Sequence, residues 1–143
     1  MAAMRAGLPG GFEVASTAIV PDDAARITAL ISTLADSRAV DCILISGGTG
    51  LGARDVTPQA TQAAIDYEVP GIPEAMRAAH VARIPSAMLS RAVAGVRKHT
   101  LVVDLPGSPA GARESLAVIA EVLPHALGLL RGDVGEHKPP LQS

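Results

Sequence analysis

Val40-Asp41-Cys42-Ile43-Leu44-Ile45-Ser46-Gly47-Gly48-Thr49-Gly50-Leu51-Gly52-Ala53-Arg54-Asp55-Val56-Thr57-Pro58 is the stretch whose reading decides the fold. After Asp41 it is continuously apolar up to Ser46, the pattern of a strand covered on both faces of a parallel sheet. Four glycines fall within the next six residues, and an Arg-Asp pair follows them. Thr57 then has the chemistry of a cap and Pro58 that of a first-turn residue, because proline lacks only an N–H that would be unpaired there. A helix is expected from this point to about Tyr67.

Upstream, Phe12 to Val20 is β-branched and bounded by Pro9-Gly10-Gly11 and Pro21-Asp22-Asp23, which predicts a strand. From Asp22 or Asp23, either of which can cap, Ile27, Leu30, Ile31 and Leu34 recur at helical spacing. Strand, helix and the 40–46 strand together predict a βαβ unit. Downstream, Pro70-Gly71-Ile72-Pro73 stops the preceding helix and opens a short one through Met76 and Ala79. Leu101 to Leu105 reads as another buried strand, and Pro106-Gly107-Ser108-Pro109 repeats the strand-turn-cap-proline layout. A last helix carries Leu116, Ile119, Ala120, Leu123, Leu127 and Leu130 on one stripe, with Pro124 kinking or breaking it.

This alternation predicts an α/β class: a doubly wound, mostly parallel sheet with helices on both faces. Residues 1–132 are expected to form one domain and 133–143, rich in Gly, Pro and charge, a flexible tail. In such sheets ligands sit beyond the C-terminal ends of the strands, where the Pro21-Asp22-Asp23, GGTG and PGSP loops would converge.

Composition narrows the function. The chain of 143 residues is 48% hydrophobic and 18% charged, with one Phe, one Tyr and no Trp, so its core is aliphatic. A net charge of -2 and few aromatics leave neither the basic patch nor the stacking platform of a nucleic-acid binder. The lone Cys42 reads as a small core hydrophobe, and no run of about 18 apolar residues suggests a membrane span. A cytoplasmic setting is the expectation. His80, His99, His125 and His137 lack the spacing of a zinc site, and no Gly-x-Ser-x-Gly elbow marks a serine hydrolase.

The glycine loop fits a phosphate cradle, although a tight turn alone would also use glycines. It matches neither the Gly-Lys-Ser/Thr ending of a P-loop nor the GxGxxG spacing. Asp55 beside it adds information, since a carboxylate next to bound phosphate is repulsive unless a cation lies between them, and Mg²⁺ takes one or two carboxylates with phosphate oxygens and water. Asp22 is the candidate for the second carboxylate, with helix capping as its competing role. Ser108 is likewise a helix cap ahead of Pro109, a role compatible with ligand binding by the backbone N–H groups of that turn.

Together, Ile19-Val20-Pro21-Asp22-Asp23, Ser46 to Pro58, Pro70-Gly71-Ile72-Pro73-Glu74, Leu89-Ser90-Arg91 and Leu105-Pro106-Gly107-Ser108-Pro109 resemble the molybdenum-cofactor family of MogA, MoaB and the gephyrin G domain, in order and spacing from about Phe12 to Gly132. The resemblance implies a molybdopterin-binding α/β fold, a homotrimer, and Mg²⁺-dependent adenylyl transfer from ATP to molybdopterin with release of pyrophosphate. It assigns Asp22 and Asp55 to catalysis and metal binding. Gly47, Gly48, Thr49 and Gly50 would contact the nucleotide, with Glu74 near the same pocket, while Ser90, Arg91, Gly107 and Ser108 would line the space shared by pterin and nucleotide. A downstream molybdate-insertion protein is the implied partner. A non-catalytic molybdopterin-binding or scaffold homologue is the alternative, which the retained Asp22 and Asp55 disfavour. Family members begin with a further strand, and Met1 to Leu8 resembles only the end of the helix that follows it, so an exposed sheet edge is expected.

Overall fold

Four strands form one sheet in the computed structural model, which describes residues 1–133: β1 (Cys42–Ser46), β2 (Tyr67–Glu68), β3 (Ala94–Arg97) and β4 (Thr100–Leu105), in the order β1-β4-β3-β2. The α/β class is as expected, and the parallel part of the sheet is confined to β1 and β4, because β4-β3 and β3-β2 are antiparallel. β3 and β4 join through a two-residue turn at Lys98-His99, in which Lys98 takes φ 53° and donates its N–H to Asp66 Oδ2 at 2.7 Å. That turn carries none of the Asn-Gly or Asp-Gly signals that mark a hairpin in sequence. The expected tail lies, apart from Asp133, outside the described residues.

Phe12 to Val20 does not form the expected strand. Its residues run without regular structure and are mostly exposed, touching the core only where Phe12 and Val20 pack at either end. β-branched sequence favours a strand only where a neighbouring strand supplies the ladder and the packing. No strand among the described residues adjoins this segment; a cavity of about 1040 Å³, lined by Leu30, Leu34, Ile43, Ile45 and Leu127 among others, separates it from β1. β1 is therefore an edge strand, as expected of an exposed sheet edge, and Cys42 to Ile45 are half-buried rather than covered on both faces, with Ser46 exposed.

The helices are α1 (Ala2–Gly7), α2 (Ala24–Asp36), α3 (Thr57–Ala64), α4 (Gly71–Val81), α5 (Pro109–Ile119) and α6 (Leu123–Arg131), with a 3-10 turn over Pro85–Leu89. Asp23, not Asp22, caps α2, its Oδ1 accepting from Arg26 N at 3.0 Å. Thr57 is the first residue of α3 rather than its cap, and α3 ends at Ala64, short of Tyr67, because Asp66 N turns away to Val96 O at 2.7 Å and starts β2. Pro124 breaks the C-terminal stripe instead of kinking it. α5 ends at Ile119, and Pro124 enters the first turn of α6. Gly132, at φ 81°, closes α6 in the left-handed conformation.

Helices cover both faces of the sheet, as expected. On one face Ile27, Ile31, Ala60 and Ala64 pack on Val102; on the other Met76, Leu116, Ile119, Leu123 and Leu127 pack on Leu101, Val103 and Leu105. Cys42 is half-buried and packs against the core, and burial, aided by the charge of Asp41, pushes its thiol up to about 12. Gly95 permits the close pairing of β3 with β2, for a Cβ there would stand 2.6 Å from Tyr67 O and collide with Ile65. Gly95→Ala is expected to cost about 2 kcal/mol in urea unfolding, the range typical of overpacking in a core.

β4 is buried along its whole length, including Asp104, which is 0% exposed. Its carboxylate accepts from Thr61 Oγ1 at 2.7 Å and from Val93 N at 3.1 Å, and no cation among the described residues pairs with it. Burial outweighs those two bonds and pushes Asp104 up to about 6 from the ordinary 3.8. The folded chain thus holds this proton more tightly than the unfolded chain. The resulting stability, up to about 3 kcal/mol, is fully present below pH 3.8 and is lost as the pH rises through 6. Asp104→Asn can keep both bonds without the charge, its amide donating to Thr61 and its carbonyl accepting from Val93. The variant is expected to unfold at higher urea than the parent at pH 8, with the advantage shrinking towards zero by about pH 4.

Candidate functional site

Parallel pairing of β1 with β4 sets the C-terminal ends of these strands side by side, Ser46 against Leu105. The register continues into the loops: Gly47 N donates to Leu105 O at 3.1 Å, and Ser46 Oγ to Pro106 O at 2.8 Å. A Cβ on Gly107 would lie 3.2 Å from Gly47 Cα, so the two loops touch backbone to backbone. Gly47 and Gly48 take φ of 103° and 68°, a region that residues with a Cβ rarely enter. Ser108 caps α5 as expected, accepting from Gly111 N at 3.1 Å.

Beyond Gly48 the loop closes on itself. Asp55 N donates to Gly52 O at 3.0 Å and Asp55 Oδ2 accepts from Gly52 N at 2.8 Å. That carboxylate oxygen lies over Gly50 and Gly52, 2.9 Å from where a Cβ would stand on either. Two of the four glycines are therefore explained by contact with Asp55. Thr57 N, at the start of α3, returns to Gly48 O at 3.2 Å and locks the loop to the helix.

Arg91 holds the same loop from outside. Its N–H donates to Thr49 O at 2.8 Å, its Nε to Gly50 O at 2.7 Å and its Nη2 to Asp55 O at 2.6 Å. The guanidinium is thus engaged with main-chain carbonyls of the glycine loop. Arg77, one turn beyond Glu74 on α4, steadies this segment in turn by donating from Nη1 to Ser90 O and Ala92 O, each at 3.3 Å. Ser90 Oγ accepts from Ala92 N at 3.3 Å.

The structure so joins Gly47, Gly48, Thr49, Gly50, Asp55, Ser90, Arg91, Gly107 and Ser108 into one end of the sheet. Asp22 is exposed and lines the large cavity together with Ser46, Gly47 and Thr57; Asp55 does not line it. Glu74 is exposed on the first turn of α4, and its side chain forms no hydrogen bond among the described residues. Among the described residues no group of three or more His, Cys, Asp or Glu side chains is placed to hold a metal ion. The backbone N–H groups of Gly48, Thr49, Gly50, Gly107 and Ser108 donate to no protein acceptor among the described residues, which leaves them available to an anion.

Sequence reasoning missed Arg77, Thr61 and Asp104. For Asp104 a signal existed: it is the one charge in the apolar strand Leu101 to Leu105, and a charge in such a run requires dedicated partners. Arg77 and Thr61 carry no comparable mark, since their partners are far away in sequence.

Residues 2–125 match the family described as "Probable molybdopterin binding domain". The chain is 34% identical over 148 aligned residues to the molybdopterin adenylyltransferase of Escherichia coli K12, covering 95% of this chain and 75% of that one. It is 40% identical to the gephyrin of Dictyostelium discoideum across 78% of this chain and 16% of that protein. Among solved structures, the molybdopterin biosynthesis enzyme MoaB of Thermus thermophilus superposes with a TM-score of 0.86 at 52% identity, covering 92% of this chain and 83% of that one. Sequence and fold agree, and the chain belongs to the molybdopterin-binding family of molybdenum-cofactor biosynthesis.

Proposed function

We propose that this chain is a molybdopterin adenylyltransferase, working at the joined ends of β1 and β4. The observation that carries the reading is a set of backbone amides without an acceptor among the described residues, at Gly48, Thr49, Gly50, Gly107 and Ser108, in two loops that touch at Gly47 and Gly107, with the Asp55 carboxylate packed over Gly50. Such amides suit phosphate oxygens, and the carboxylate suits the cation that accompanies a triphosphate. The similarity to enzymes named molybdopterin adenylyltransferase supplies the reaction class.

In this reading a phosphate oxygen of molybdopterin attacks the α-phosphorus of ATP. A new P–O bond forms, the bond from that phosphorus to the bridging oxygen of the β-phosphate breaks, and pyrophosphate leaves. Nucleotidyl transfer needs positioning and charge stabilisation more than covalent help, and a rigid amide cradle offers the first. The glycine loop contributes N–H donors to the phosphates and the Gly107-Ser108 turn contributes donors from the other side. Arg91 and Arg77 keep the cradle in place. Glu74, Ser90 and Asp22 would line the approach to it.

One oxygen of Asp55 is engaged with Gly52 N, and the other has no partner among the described residues. That one free carboxylate oxygen fits Mg²⁺ arriving with ATP, because Mg²⁺ keeps waters and phosphate oxygens and needs only one or two carboxylates; Asp22, which lines the cavity that Asp55 does not, would supply the second. When bound, the ion would neutralise phosphate charge. A homotrimer, a cytoplasmic location and a downstream molybdate-insertion partner belong to the same reading; among the described residues no helix is long and apolar enough to cross a membrane.

Adenylyl transfer from ATP to purified molybdopterin with Mg²⁺, followed by pyrophosphate release and adenylylated pterin, tests the proposal. Asp55→Asn keeps an acceptor for Gly52 N and removes the charge, so turnover should fall by a factor of about 100 or more with unfolding unchanged. Molybdopterin binding without turnover by the parent chain would instead identify a pterin-binding homologue.

A further inference from the structure

Three segments reach the candidate site from different parts of the chain: α3 with the glycine loop before it, the Ser90–Val93 stretch, and the turn after β4. One buried side chain on the strand leading to the third of them bonds to both of the others. Asp104 precedes the turn by a single residue, Leu105. Its Oδ1 accepts from Thr61 Oγ1 on α3, one helical turn beyond Thr57, and its Oδ2 accepts from Val93 N, two residues beyond Arg91. The backbone of Asp104 repeats the second link, with its N–H on Val93 O at 2.9 Å. Asp104, Thr61 and the Val93 amide are shut away from water, Asp104 and Thr61 at 0% exposure.

We propose that Asp104 is a positioning residue of the adenylyl-transfer site, its buried carboxylate setting α3 with the glycine loop, and the Ser90–Arg91 segment, in register with the Gly107-Ser108 turn. A carboxylate accepts two bonds in fixed directions, so it can hold two donors from separate elements at once. An apolar side chain would fill the same space without fixing either. Both linked segments lead straight to groups of the cradle: Thr57 N is bonded to Gly48 O, and Arg91 to Thr49, Gly50 and Asp55. No ion pair among the described residues includes Asp104.

The kinetic part of this proposal rests on the adenylyl-transfer reading; the structural part does not. Hydrogen exchange of segments 47–57 and 90–93 is to be followed in the full chain for the parent, Asp104→Ala, Asp104→Asn and Thr61→Val, beside kcat and KM. Asp104→Ala is expected to speed exchange in both segments about tenfold or more and to lower kcat more than it raises KM. Asp104→Asn should restore both properties, because its amide offers one donor and one acceptor to the same two partners. Thr61→Val should loosen 47–57 and leave 90–93 at the parent rate. Parent-like exchange in a folded Asp104→Ala, or failure of Asp104→Asn to restore it, overturns the proposal. If Asp104→Ala does not fold, the segment-selective effect of Thr61→Val decides alone. A parent chain without turnover would refute the adenylyl-transfer reading, while the exchange data would still settle the positioning role.

Discussion

The parallel pairing of β1 with β4 is the constraint on which the rest depends. Parallel strands end on the same side of a sheet, so the loops that follow them must share one region of space. Here the sharing extends to backbone contact between Gly47 and Gly107, and the hydrogen bond from Gly47 N to Leu105 O carries the strand register beyond the strands. The placement of both loops, with the amides that have no acceptor among the described residues, depends on that alignment.

Around this pair the protein uses charged side chains mainly to brace backbone. Arg91 and Arg77 donate to carbonyls of the loop and of its supporting segment, and Asp104 accepts from a buried hydroxyl and a buried amide. Irregular backbone has few ladder bonds of its own, and without such bracing the loops would sample many conformations. A preorganised cradle needs no reordering when charge develops on bound phosphate, which is the property such chemistry requires. Burial raises Asp104 above the ordinary carboxylate range even though Thr61 and Val93 both donate to it.

Much of this is legible in the residues. The helical spacing of Ile27, Leu30, Ile31 and Leu34, the apolar run of β4 and the Ser108-Pro109 cap each report a local preference that the fold keeps. The glycine loop is readable as a loop, and Asp55 as a carboxylate needing a reason. Phe12 to Val20 misleads because strand propensity describes what a segment does beside a partner, and no strand among the described residues lies beside it. β3 and β2 escape a sequence reading because both are short, and β3 joins β4 through a Lys-His turn that resembles no hairpin signal.

The sequence by itself determined the element types where periodicity or capping chemistry acts within a few residues, together with the aliphatic core and the candidate phosphate-binding loops. Tertiary structure alone decided that Arg91 grips the glycine loop and that Asp104 links Thr61 to Val93. The physical reason is range. Dihedral preference and side-chain periodicity act along the chain and leave a trace in it, whereas a hydrogen bond between residues 43 positions apart, as between Thr61 and Asp104, exists only after the sheet has brought both ends together.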